Sequence, residues 1–124
     1  MEPKISIRPT INSIDPSAET SAEEGFQNHV LRPVLKLQHD LLIAFFHQYT
    51  VQNKIDYAGL SALQQQELIS KVFKNDNQFK LAARGLIVGL FTLEEYQQYV
   101  PMSSALNRRI TTMMEQRLLS SVAG

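Results

Sequence analysis

From Ser21 onward apolar side chains recur at steps of three and four residues, and no stretch alternates with a period of two for long enough to make a strand. A chain patterned in this way buries its apolar surface by packing helix against helix. One row runs Phe26, Val30, Val34, Leu37, Leu41, Phe45, and a second runs Leu31, Leu35, Leu42, Phe46, Tyr49. Two rows on one helix predict a central element with partners on both sides. Pro33 falls inside the pattern, where it removes the amide bond to residue 29 and crowds that carbonyl, so a kink or a restart of the helix is expected there.

Three pairs, Ser21 with Glu24, Ser61 with Gln64 and Thr92 with Glu95, have the spacing of a capping box and mark helix starts. The Asn75-Asp76-Asn77 turn leads into a further helix whose stripe is Phe79, Ala83, Leu86 and Leu90. Pro101 closes the short element bearing Leu93, Tyr96 and Val100 or opens the last one, whose stripe is Leu106, Ile110, Met113 or Met114, Leu118 and Val122. The expected fold is therefore all-α: a single-domain bundle of four to five helices over residues 21–124. An extended or flexible arm over residues 1–20 precedes it, because Pro3, Pro9 and Pro16 interrupt helices and ladders alike. Ile5, Ile7, Ile11 and Ile14 leave two readings of that arm open, one docked in a groove of its own domain or a neighbour's, the other mobile.

At 124 residues, with 44% hydrophobic and 19% charged residues, the chain fits one globular domain. No run approaches the ~18 apolar residues of a membrane span, and the first 21 residues lack a basic stretch followed by an apolar one, so a cytoplasmic protein without membrane contact is expected. The absence of cysteine excludes disulfides, thiolate ligands and a cysteine nucleophile. Twelve basic residues balance twelve acidic ones, which argues against nucleic acid as a partner. A local basic surface of Arg108 and Arg109 with Lys80 and Arg84 stays open.

No motif activates a nucleophile or an acid–base pair, so no catalytic residue and no cofactor are assigned. His29, His39 and His47 are spaced so that they point in different directions on a helix, which gives no metal face. Gly85 and Gly89 form a Gly-x-x-x-Gly, read as a tight helix crossing because glycine inside a helix costs ~1 kcal/mol against alanine. Asn28, Arg32, Lys36 and Asp40 follow at steps of four along the polar side of the central helix, and Lys36 and Asp40 can pair. These residues are either a solvated face or, together with Asn107 and Arg108 beside Arg109 on the last helix, a binding face. Met102, Met113 and Met114 fill core gaps on the favoured reading and form an adaptable partner surface on the other.

The segments Phe26-Gln27-Asn28, Leu31-Arg32-Pro33, Leu35-Lys36-Leu37-Gln38 with Asp40, Gly85 to Thr92 with Glu95-Tyr96, and Ala105 to Arg109 resemble a family of small, uncharacterised helical proteins of Bacteroidetes-type bacteria, some of them labelled glyoxalase. The resemblance covers roughly residues 24 to 118. It implies that Arg32, Lys36, Asp40, Asn107 and Arg108 belong to a shared pattern, without naming their task. The glyoxalase label fits badly, since that superfamily presents His and Glu on strands to a divalent metal, whereas this periodicity is helical.

The function expected from these residues is non-enzymatic binding, to a protein partner or to a second copy of the chain. The alternative is a small enzyme or ligand-binding domain with a polar site between the first and last helices, its small-molecule ligand undefined by the sequence. A cavity of ~300 Å³ or more among the polar residues favours the alternative, and a flat apolar patch favours the first.

Overall fold

The computed structural model describes residues 3–9 and 21–122, and every regular element among them is helical. A short turn, α1 (Pro3–Ser6), precedes a long rod made of α2 (Ala22–Phe26), a π-helical turn (Gln27–Leu31), α3 (Arg32–Leu37) and α4 (His39–Gln52). There follow α5 (Ala62–Asn75), α6 (Asn77–Val88), α7 (Leu93–Tyr99), a 3₁₀ turn (Val100–Met102) and α8 (Ser103–Ser120). Counting the rod once, the described residues hold the expected bundle plus α1, one element beyond four to five. No helix among them is long and apolar enough to cross a membrane.

The helix starts sit where side chains satisfy the free amides. Ser61 and Thr92 each make both halves of a capping box, with Gln64 and Glu95. Asp76 accepts from the Phe79 amide at 3.0 Å and also from the Tyr49 hydroxyl at 2.7 Å, tying α4 to the start of α6. Burial first, and then that carboxylate, push the Tyr49 pKa up to about 12. At the end of α4, Ile55 N–H bonds to Thr50 O and Lys54 N–H to Val51 O, a Schellman motif with Lys54 at φ 57° in the position that favours glycine.

At Pro33 the regular α-helix does restart, as α3 from Arg32. The turn before it widens to a π-helix in which Arg32 N–H bonds to Gln27 O, five residues back, and Pro33 enters α3 at its second position. A second interruption lies at Gln38 (φ −91°, ψ 6°), whose side-chain amide donates to Leu86 O of α6 at 2.9 Å. This turn re-phases the two apolar rows. Leu31, Leu35, Leu42 and Phe46 stay fully buried, whereas the other row is buried at Phe26, Val30 and Val34 and then surfaces at Leu41. Leu106, Ile110, Met113, Met114 and Leu118 of α8 complete the core, so Met113 and Met114 are packing residues, as favoured from their spacing.

Within residues 3–9 the arm is not extended. Pro3, its φ preset for a first helical position, opens α1, and Lys4 Nζ donates to Phe91 O at 3.1 Å. Arg8 makes a bidentate pair with Glu95, both contacts at 2.7 Å, and a third bond to Leu90 O. This segment thus docks on its own domain at the α6–α7 turn. The readings of Ile11 and Ile14 fall outside the described residues.

The glycine pair does not make a helix crossing. A Cβ built on Gly85 meets nothing within 4 Å, and one on Gly89, the C-cap of α6, meets the Gly85 carbonyl oxygen at 2.9 Å. Gly85 therefore faces open space, and Gly89 is required by its own helix end. Gly85→Ala should raise stability by roughly 0.5–1 kcal/mol through lost freedom of the unfolded chain, while Gly89→Ala should lower it. Urea unfolding of the two variants checks the sign at each position.

Candidate functional site

The π turn delivers Arg32 and Lys36 to the flank of the rod that faces α8, and there they line an open cleft of about 530 Å³ with Arg109, Met113, Gln116, Arg117 and Ser120. The α8 residues fall on one strip because steps of three and four return to the same side of a helix. Neutral groups set the geometry. Asn28 Oδ1 accepts from Arg32 Nε at 3.1 Å, Gln27 Oε1 accepts from Arg109 Nε at 3.3 Å, and His39 Nδ1 lies 3.3 Å from an Arg117 η nitrogen. Guanidinium only donates, so in this contact the His39 Nδ1 is on the accepting side. Both amides occupy Nε and leave the η nitrogens of Arg32 and Arg109 without a hydrogen-bond partner among the described residues.

No carboxylate lines the cleft, and none of Arg32, Lys36, Arg109 and Arg117 pairs with one among the described residues. Burial, and after it the charge of Arg32, lower the Arg117 pKa from its ordinary value. Burial is the larger of the two causes, and the share from Arg32 places like charges side by side with no carboxylate in the lining between them.

The structure divides the five-residue face expected from the sequence. Arg32 and Lys36 stand in this cleft. Asp40, beyond the Gln38 turn, is exposed and makes no ion pair with Lys36. Asn107 and Arg108 lie on the other flank of α8, in a second groove of about 610 Å³ with Lys80, Leu81, Arg84 and Thr111, and Asn107 accepts the Tyr99 hydroxyl. Residues 108 and 109 are ~100° apart on the helix, which sends the two arginines to different grooves. The basic surface considered for Lys80, Arg84 and Arg108 is present there, and Arg109 leaves it for the first cleft.

Arg117 is not singled out by the sequence, and His39 is considered there only as a metal ligand. Arg117 lies eight residues after Arg109, a helical spacing that was available, but it shares its stripe with core methionines. Among the described residues no three His, Asp or Glu groups come close enough to hold a metal ion. The exposed apolar side chains Leu93 and Tyr96 of α7 and Val100 of the 3₁₀ turn follow at steps of three and four. Compared with protein-family models, curated proteins and solved structures, the sequence matches none.

Proposed function

We propose that this chain acts by binding, without catalysis, and that its working site is the cleft between the rod and α8, which takes an anionic group of the phosphate type. The observation that carries the reading is the convergence of Arg32, Lys36, Arg109 and Arg117 from two separate elements with no carboxylate among them. Cations held together are strained until an opposite charge arrives, so their interaction energy is gained on binding. The volume lies within the ~300–1,000 Å³ of ordinary ligand sites. This is the ligand-binding alternative expected from sequence, with Arg109 and Arg117 in place of Asp40, Asn107 and Arg108. Protein contact through Leu93 and Tyr96 of α7 with Val100 of the following 3₁₀ turn is the second reading, supported by the exposure of all three.

Titration calorimetry with pyrophosphate tests the site. Arg32→Gln and Lys36→Gln should each weaken binding about tenfold, the value of a charge-assisted hydrogen bond, and alter stability by at most about 0.5 kcal/mol. Heat of binding that is unchanged in both variants, or no binding by the parent chain, would overturn the assignment.

A further inference from the structure

The two grooves are the flanks of one ridge. Thr112 lines the second groove and Gln116 the cleft, four residues apart along α8, with Arg108 one turn earlier. More than half of the chain's twelve Lys and Arg residues line one groove or the other, and no acidic residue lines either. Glu115 is the carboxylate nearest along α8, and it lies outside both linings. Asp76 is lowered in pKa first by the Phe79 amide and the Tyr49 hydroxyl it accepts from, and least by the charge of Lys80. The two groove linings are therefore basic and free of carboxylates, with Glu115 of α8 and Asp76 at their margins.

We propose that the face they form binds double-stranded DNA through its phosphodiester backbone, with one strand in each groove and the α8 ridge between them. The inference rests on the reading of the cleft as an anion site. A helix with side chains is ~10–12 Å across, so tracks on its two flanks are separated by about the ~12 Å width of the major groove of B-form DNA. Neither lining contains an aromatic side chain, so the stacking platform used for single strands is missing and phosphate contacts dominate. Arg108, Thr112 and Gln116 on the ridge have the donors and acceptors that reach base edges.

Fluorescence anisotropy with a labelled 20-base-pair DNA duplex tests this, with pyrophosphate calorimetry on the same variants run beside it. Lys80→Gln with Arg84→Gln in the second groove, and Arg32→Gln with Lys36→Gln in the cleft, should each weaken duplex binding at least tenfold. Each pair should also reduce the slope of log K against log salt by about 2, since each neutralised phosphate contributes ~0.9. Only the cleft pair should weaken pyrophosphate. Pyrophosphate binding without duplex binding leaves the cleft as proposed and overturns the DNA inference. Duplex binding that ignores the second groove overturns it too, as does equal retention on vesicles of anionic phospholipid with the same variant dependence, which assigns the face to a membrane surface. Loss of both ligands from the parent chain removes the cleft reading itself.

Discussion

Phe46→Ala should cost about 3–5 kcal/mol of stability, the range for deleting a buried aromatic ring. Phe46 is 1% exposed, and its ring meets Tyr57 and Phe79 edge-on at 5.6 and 5.9 Å and Tyr49 in a stacked arrangement at 6.2 Å. Phe79 extends the cluster to Phe73 at 5.5 Å and Tyr49 at 4.9 Å. The ring therefore joins α4 to α6 and to the loop before α5, so the surrounding elements cannot collapse into the space it leaves without giving up their own edge-to-face contacts. Urea unfolding should show a large drop in midpoint with little change in slope. A loss below about 1 kcal/mol would mean that this cluster is loosely packed.

Arg8→Ala should destabilise the chain by about 3 kcal/mol, because it strands a carboxylate that is nearly buried. The Arg8 and Glu95 side chains are 5% and 12% exposed, and their bidentate contact spans 87 residues of sequence. Glu95 is also half of the α7 capping box, accepting from the Thr92 amide at 2.9 Å. Glu95→Gln keeps an acceptor for that amide while removing the charge, so it separates the pair from the cap. It should release the arm to proteolysis, and the double variant with Arg8→Met should recover most of the loss. Burial raises the Glu95 pKa, but the Arg8 hydrogen bond and the Thr92 amide lower it further, and the net value lies below the usual carboxylate range. A depressed folded-state value means that this stabilisation is complete above the unfolded-state pKa, ~4.3, and is lost as pH falls through the folded one. The arm should stay docked at pH 5 and loosen only in stronger acid, which hydrogen exchange of residues 4–8 would follow.

Much of the fold was legible because it is local. Ser61 with Gln64, Thr92 with Glu95 and the turn at Asp76 each place a side chain against an amide three residues away, and short spacing is what a sequence displays directly. The Gln38 turn was not legible, since it is stabilised by an acceptor on α6, Leu86 O, 48 residues later. At Pro33 the break itself is legible but its form is not, because a π turn supplies a bond to Gln27 that a fixed four-residue ladder does not offer. The site shows the same division. Arg32 and Lys36 announce themselves by their step of four, whereas their partners on α8 depend on how that helix is rotated about its axis. A rotation of one residue separates Arg108 from Arg109 and decides which groove each enters.

If four cations from the rod and α8 form one anion site, NMR of the arginine Nε–H groups during titration with pyrophosphate reads it out residue by residue. The signals of Arg32, Arg109 and Arg117 should move together along one saturating curve, Arg8, held by Glu95, should not move, and Arg32→Gln should shift the curves of the other two to higher concentration. Signals of Arg32, Arg109 and Arg117 that follow separate curves, or that move no more than Arg8, would contradict the single site.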